Sequence, residues 1–183
     1  GLDFPNVTLV GIIQADIGLN VPDFRSAERT FALITQVAGR AGRGDLPGRV
    51  VVQTYTPDNY ALTCAQRHDY DAFYEQEVPA RQALMFPPFA HLVLLTFKSG
   101  TEEQARNAAV AFDAQIKPLL PPSAQVIGPM PAPLAKIANT WRYQLLLRSP
   151  EVRALVSAFR QARTRMPAAL LRKVPVDIDV DPR

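Results

Sequence analysis

The sequence predicts an α/β protein with two units, because apolar, β-branched runs alternate with amphipathic stretches in both halves of the chain. Residues 7–13 (VTLVGII) and 50–55 (VVVQTY) are short apolar runs typical of strands that are buried on both faces. An amphipathic stretch separates them, so strand, helix and strand indicate a crossover unit with parallel strands. The Phe86-Pro87-Pro88-Phe89 turn marks a boundary, since two prolines fix the backbone there.

The helix between the first two strands is predicted from its start signal and its period. Pro22 and Asp23 open it, with Asp23 as the N-cap, and Gly39 and Gly42 end it. Its apolar residues recur at helical spacing: Phe24, Ala27, Phe31, Ile34 and Ala38.

Residues 57–88 are predicted to form a helical connector, in which Asp69 caps a second segment and Pro79 introduces a kink. The predicted organisation is therefore residues 1–56, the connector, and residues 89–183.

Residues 89–183 contain two similar strand–helix–strand patterns, which together predict a split βαβ, ferredoxin-like arrangement. Between the two patterns, residues 128–141 (GPMPAPLAKIANTW) are predicted to form a proline-rich loop with Lys136 near its tip. The predicted elements are, in chain order, strand 91–97, helix 101–119, strand 125–128, strand 142–147, helix 150–165 and strand 174–180.

Composition excludes several classes of protein. The chain has 183 residues, of which 48% are hydrophobic and 20% charged, as in a soluble globular protein. It has no apolar run long enough to cross a bilayer, so we expect a cytoplasmic protein without a membrane partner. The single cysteine, Cys64, rules out an internal disulfide or a cysteine-cluster zinc site, and we expect it to be buried.

The charge is mildly basic and unevenly distributed. The net charge of +3 is compatible with nucleic-acid binding without specifying it. Between residues 151 and 173 there is one acid, against six basic residues: Arg153, Arg160, Arg163, Arg165, Arg172 and Lys173. The opening residues, GLDFP, resemble the middle of a loop, so we expect the chain to be a fragment of a longer protein.

Residues 36–44 (QVAGRAGRG) place Arg40 and Arg43 three residues apart, each after a glycine. Arginine is a permanently charged fork of donors that matches phosphate oxygens, and residues at this spacing share one side of a helical turn. Both could therefore reach one polyphosphate, with Gln36 about a turn upstream. The alternative is an ordinary helix C-terminus, where glycine caps and basic residues are favoured.

The QVAGRAGR segment resembles motif VI of superfamily 2 helicases, and GLDFPNVTLVG resembles the end of motif V. Further segments follow in order: PDFRSAERTF, QTYTPDNYAL, FPPF, GPMPAPLAKI, WRYQLLLRSP and VDIDVDP. This ordered set is similar to the C-terminal part of PriA-type primosomal replication-restart DNA helicases, also called primosomal protein N′. The resemblance covers almost the whole chain.

The resemblance implies that residues 1–56 complete a second RecA-like helicase lobe and that residues 89–183 form a C-terminal α/β domain, similar to a ribosomal protein, that binds DNA and partners. It implies part of an ATP-dependent 3′-to-5′ DNA helicase, which recognises stalled or branched forks and restarts replication by primosome assembly. ATP and Mg²⁺ would act in the full-length protein only, and family members carry zinc upstream of this segment. The fragment alone is expected to be inactive, since it has no GxxxxGK[ST] phosphate loop.

The same resemblance assigns roles to the first site. Arg43 would be the arginine finger, with Arg40 as a second phosphate contact. Gln36 and Gly39 would belong to the same ATP-binding cluster, and Asp3, in the motif V remnant, would help couple nucleotide to DNA. A non-hydrolysing DNA-binding scaffold of the primosome, with a relic motif VI, is the alternative function.

A second predicted site lies in the C-terminal domain, where Trp141, Arg142 and Tyr143 combine aromatic rings with a cation. This combination suits base stacking and phosphate contact, and Lys136 is assigned to the same DNA- or partner-binding set. Strand alternation sends Trp141 and Tyr143 to one face and Arg142 to the other, so packing of both rings on the core is the alternative.

The helix after Pro150 offers a third candidate. Its predicted buried stripe is Val152, Leu155, Val156 and Phe159, while Arg153 and Arg160 lie on the opposite side. The two arginines could receive DNA phosphate, or the acidic tail of single-stranded-DNA-binding protein that the family resemblance implies as a partner. A solvated basic face is the alternative.

The remaining candidates are weaker. His68 and His91 are assigned no metal or catalytic role, since neither has a second ligand at a useful spacing. Asp177, Asp179 and Asp181 would share one face of the last strand, and we favour an exposed polar edge or pairing with the basic helix over a cation site.

Overall fold

The computed structural model describes residues 7–39 and 48–182, so the predictions for Asp3, Arg40 and Arg43 lie outside the described residues. The chain is a mixed α/β protein that divides into two compact units, Gly1–Ala80 and Arg81–Arg183. Within the described residues, no helix combines the length and the apolar character that crossing a bilayer requires.

The first unit is built on a parallel strand pair, as predicted. In the register of this pair, Leu9 lies opposite Arg49 and Ile12 opposite Val52. Its elements are β1 (Leu9–Ile12), α1 (Asp16–Leu19), α2 (Ser26–Ala38), β2 (Arg49–Val52), α3 (Tyr60–Gln66) and the start of α4 (Tyr70–Ala83).

Helix α2 packs through the predicted apolar residues, but it begins later than predicted. Its N-cap is Arg25, and Asp23 instead accepts a hydrogen bond from the Arg25 N–H at 2.9 Å. Phe31 is buried and stacks on Phe73 of α4 at 4.5 Å between ring centroids. Cys64 is buried in the same core, which confirms that prediction.

Helix α4 starts with the predicted cap, since the Asp69 carboxylate accepts the Ala72 N–H at 2.9 Å. Pro79 lies inside the helix. Helix α3 has a cap that the sequence analysis did not name: the Asn59 side chain accepts the Ala61 N–H, also at 2.9 Å.

The second unit contains a four-stranded antiparallel sheet with the order β4-β5-β3-β6. A short 3₁₀ turn, Lys117–Leu119, follows α5. The elements are β3 (His91–Ser99), α5 (Glu102–Ile116), β4 (Gln125–Ile137), β5 (Thr140–Ser149), α6 (Val152–Arg165), α7 (Ala168–Lys173) and β6 (Val176–Val180).

The core of this unit lies between one face of the sheet and the helices α5 and α6. Alternate residues of the two central strands point into it, because side chains in a strand alternate between faces. Phe97 and Phe112 meet edge to face, with their ring centroids 5.5 Å apart. The buried pairs across β3 and β5 are Val93 with Leu147, Leu95 with Leu145, and Phe97 with Tyr143.

The prediction of a proline-rich loop over residues 128–141 is wrong, because most of this segment belongs to β4 and forms a β-hairpin with β5. Strand β4 is an edge strand, so a proline without an N–H can be accommodated there. Its register shifts twice, between Ile127 and Met130 and between Pro131 and Lys136. Each shift lets extra residues bulge from the ladder.

The hairpin closes through a two-residue turn, Ala138 and Asn139, whose φ angles are 45° and 60°. Two consecutive positive φ values are typical of a type I′ turn, whose twist matches that of the flanking strands. Lys136 therefore lies near the end of a hairpin and not at the tip of an irregular loop.

Candidate nucleic-acid interface

The described part of the predicted ATP site consists of Gln36 and Gly39 at the end of α2. Gln36 is exposed on the last turn. Gly39 is the C-cap, and its N–H donates to the Thr35 carbonyl at 3.0 Å. Its φ of −69° lies in the right-handed helical region. The helix therefore exposes Gln36 to solvent on its last turn, and the ATP contacts remain predictions.

A hydrogen-bonded carboxylate at the carboxyl ends of β1 and β2 was missed by the sequence analysis. Asp16 accepts hydrogen bonds from the Thr54 and Thr56 hydroxyls, both at 2.9 Å, and from the Tyr55 N–H at 3.0 Å. The available signal was that Asp16 and Thr54 each follow a predicted strand, and parallel strands end at the same edge.

These contacts shift the pKa of Asp16. Desolvation raises its pKa, but the hydrogen bonds from the Tyr55 N–H and from the Thr56 and Thr54 hydroxyls outweigh it. The net result is a pKa below the ordinary value of 3.8, because donors stabilise the charged form.

Helix α6 presents the predicted arginines to solvent. Arg153 and Arg160 are both exposed, and within residues 7–39 and 48–182 neither forms an ion pair with a carboxylate. The buried stripe differs from the prediction, because Val152 and Val156 are only half-buried. The buried residues of the helix are Leu155, Ala158, Phe159 and Ala162.

The two half-buried valines lie beside the arginines on the surface of the helix. Together with Ser157 they line a shallow depression of about 350 Å³, bounded by Arg153 and Arg160. Apolar side chains beside two cations suit an anionic ligand with an apolar group better than they suit phosphate alone.

The positions of Trp141 and Tyr143 on β5 are determined mainly by packing against the core. Tyr143 is buried, and its hydroxyl donates to the Glu102 carboxylate at 3.0 Å. Desolvation raises the pKa of Tyr143, and the hydrogen bond to Glu102 raises it further. Trp141 is half-buried and packs against the same core. This placement favours packing over base stacking for Tyr143.

Arg142 and Lys136 hold the hairpin together. The Arg142 guanidinium donates through Nε and Nη2 to the Leu134 carbonyl, at 3.0 and 2.5 Å. The Lys136 ammonium lies 5.2 Å from the centroid of the Trp141 ring, a cation–π distance. Three of the four predicted residues are thus brought together at the hairpin end, while Tyr143 lies in the core.

Two of the acidic residues at the end of the chain contact residues of β3. Asp177 forms an ion pair with Lys98. Asp181 contacts His91 Nδ1 at 2.8 Å and accepts the Leu92 N–H at 2.9 Å. Among the residues that the structure describes, no three His, Cys, Asp or Glu side chains are grouped so as to hold a metal ion.

Comparison with known families identifies the second unit. The profile of the primosomal protein N C-terminal domain matches residues 82–183, which is more than half of the chain. The chain belongs to this family. It corresponds to the C-terminal part of the PriA proteins, as the ordered motifs predict.

Curated relatives extend the similarity to the first unit. The chain is 45% identical to the replication restart protein PriA of Treponema pallidum, 40% to that of Synechocystis and 38% to that of Bacillus subtilis. Each match covers 100% of this chain but only 27%, 21% and 23% of the respective relative. The chain thus spans about a quarter of the length of these relatives.

Proposed function

We propose that this chain is the C-terminal part of an ATP-dependent 3′-to-5′ DNA helicase that acts in the cytoplasm at stalled or branched replication forks and restarts replication by primosome assembly. The supporting observation is the similarity over the whole chain to replication restart proteins, together with QVAGRAGR in the position of a helicase motif VI. ATP and Mg²⁺ would be held mainly by parts of the protein that precede this chain, and zinc by an upstream module.

At the level of the fold, we propose that residues 1–56 complete a RecA-like lobe and that residues 89–183 are ferredoxin-like. The parallel pairing of β1 and β2 across α2 supports the first assignment. The second is supported by the sheet order, in which β5 lies between β3 and β4, since this is how a split βαβ unit places an inserted strand.

The catalytic assignment is tested by Arg43→Ala in a protein of full family length that carries this chain. Removing a finger that stabilises transferred phosphate lowers the rate by about a thousandfold or more, so we expect fork-stimulated ATP hydrolysis to vanish while DNA binding is kept. Arg67→Ala, at an exposed arginine that follows α3, is the matched control and should hydrolyse ATP normally. Unchanged hydrolysis in Arg43→Ala would reject the assignment, and no hydrolysis in the parent protein would support the scaffold alternative.

The α6 depression is the second part of the proposal. We assign it to the acidic tail of single-stranded-DNA-binding protein, because Arg153 and Arg160 can pair with carboxylates while Val152 and Val156 cover an apolar side chain. Other primosome proteins would bind elsewhere on the molecule.

This assignment is tested with a fluorescent acidic tail peptide and the double variant Arg153→Glu, Arg160→Glu. We expect the peptide affinity to fall by about tenfold or more, because two attractive charges become repulsive. Arg172→Glu, at an exposed arginine on α7, is the control and should retain binding apart from a small screened effect. Equal peptide affinity in the double variant and in the parent chain would leave α6 as a solvated basic face.

A further inference from the structure

The end of the β4–β5 hairpin, defined here as residues 130–142, lies in a part of the chain where every charge is positive. Residues 114–150 contain no aspartate or glutamate, but they contain Lys117, Lys136, Arg142 and Arg148. Two of these cations, Lys136 and Arg142, belong to the hairpin end. Cations attract ligands of the opposite sign, and a ligand that contacts both of them carries more than one negative charge.

The hairpin end also exposes apolar side chains. Leu134 is 65% exposed, Ile137 45% and Met130 36%. Single exposed apolar residues are ordinary on protein surfaces, but here three occur within a short segment that also carries the cations. A ligand that suits this surface must therefore be both negatively charged and apolar in part.

Internal contacts hold the hairpin backbone at Leu134 and the Trp141 ring in place. The two hydrogen bonds from Arg142 fix the carbonyl of Leu134, and Ala132 beside it is buried. Lys136 rests over Trp141, which itself packs on the core. A surface that is ordered before binding loses less conformational entropy when a ligand arrives.

We propose that this hairpin end binds single-stranded DNA, with an unpaired base against Leu134 and a backbone phosphate drawing Lys136 away from the Trp141 ring. Unpaired bases expose apolar faces beside a charged backbone, whereas a duplex hides those faces in its stack. The inference rests on the proposed DNA-binding function and adds the surface and the strand state that it recognises.

A protein ligand fits this surface less well. Strand addition to the β4 edge is blocked where Pro129, Pro131 and Pro133 lack the N–H groups that a new strand would need. A stable protein interface also needs a broad apolar centre, while this segment exposes only three apolar side chains beside two cations.

The test uses the fluorescence of Trp141, the single tryptophan in the chain. The 183-residue chain is titrated with oligo(dT) of roughly 20 nucleotides and with a duplex of the same length, over a series of salt concentrations. We expect the emission to change with oligo(dT), because the ring loses its contact with Lys136, and to change much less with the duplex. Anisotropy of labelled DNA measures binding independently of the tryptophan.

Two sets of variants separate the charge from the apolar contacts. For Lys136→Ala, the slope of log affinity against log salt should fall by about 0.7, the value for one contact with a single-strand phosphate, and Lys136→Arg should restore it. Leu134→Ser should weaken oligo(dT) binding about fivefold without changing that slope. Val110→Ser on α5, at a site that is 51% exposed, is the matched control and should bind like the parent.

The outcomes distinguish this inference from the proposed function. If the chain binds oligo(dT) but neither Trp141 nor the hairpin variants respond, the hairpin assignment is overturned while DNA binding by the domain stands. Equal affinity for duplex and oligo(dT) also overturns it. If no DNA binds at all, the DNA-binding part of the proposed function fails as well. Thermal unfolding of each variant checks that an effect does not arise from misfolding.

Discussion

Asp16 and Thr54, which are 38 residues apart in the chain, are joined by a 2.9 Å hydrogen bond from the Thr54 hydroxyl to the Asp16 carboxylate. This contact links the segment after β1 to the segment after β2. The helix α2 lies between these strands in the chain, so the carboxylate closes the crossover unit at the carboxyl ends of β1 and β2.

Replacing Asp16 with Asn should destabilise the first unit in a pH-dependent way. The folded-state pKa of Asp16 lies below 3.8, so folding favours the carboxylate. Its stabilising effect is complete above the unfolded-state pKa and is lost as the pH falls through the folded-state pKa. At neutral pH the melting temperature of the parent should be higher than that of Asp16→Asn, and this difference in melting temperature should shrink in acid. A difference that does not depend on pH would exclude the carboxylate charge as its cause.

Gly128 should not tolerate a side chain. Its φ is +107°, and an added Cβ would lie 2.7 Å from the Gln144 carbonyl oxygen and 3.1 Å from the Met130 nitrogen. Both are backbone atoms, so Gly128→Ala must shift the sheet, and we expect a loss of about 1–3 kcal/mol in the free energy of unfolding. Gly100→Ala is the matched control, since nothing lies within 4 Å of its added Cβ. Urea unfolding measures the free energy of unfolding of both variants. An equal loss in Gly128→Ala and Gly100→Ala would contradict the steric argument.

Ala138→Gly should stabilise the hairpin. Ala138 has a φ of 45°, a region that costs an alanine about 1–2 kcal/mol and a glycine almost nothing. The more flexible unfolded chain offsets part of this gain, which leaves an expected increase of about 0.5–1 kcal/mol. Ala135→Gly, in β4 and without a positive φ, should instead lower stability. Chemical denaturation of the two variants should therefore give changes of opposite sign.

Leu145 and Leu146 are neighbours on β5 that point to opposite faces of the sheet. Leu145 is fully buried in the core, while Leu146 is half-buried. Leu145→Ala should cost about 3 kcal/mol of unfolding free energy through lost transfer energy and a cavity, and Leu146→Ala about 1 kcal/mol. Guanidinium unfolding monitored by circular dichroism compares them. A larger loss for Leu146 would place the main core on the other face.

The longer elements could be predicted because their signal is local. Helices α2, α5 and α6 carry an apolar period of their own, and strands β3 and β5 are apolar on the side that faces the core. The short helices α1 and α7 were missed, since a helix of one or two turns is too brief to show a period.

The second half of β4 could not be predicted, because its conformation depends on a neighbour. A segment with Pro129, Pro131 and Pro133 looks like a loop until β5 is placed beside it and the outer edge is left free. Packing of Tyr143 on the core was an alternative that the sequence offered, whereas its hydrogen bond to Glu102, 41 residues away on α5, could not be predicted.

The candidate sites were predicted to different extents. The exposure of Arg153 and Arg160 follows from the position of the apolar stripe on α6. The half-burial of Val152 and Val156 could not be predicted in this way, because a helical wheel cannot show how far the neighbouring elements extend over the helix.

The contacts of Asp181 with His91 and Leu92 bring the last described residues of the second unit beside its first strand. A short linker could therefore join the two ends of this domain without crossing its core. The domain should accept circular permutation, with new termini opened in the turn at Ala138 and Asn139, where no buried contact is cut. Such a permutant would carry the hairpin strands as its free ends.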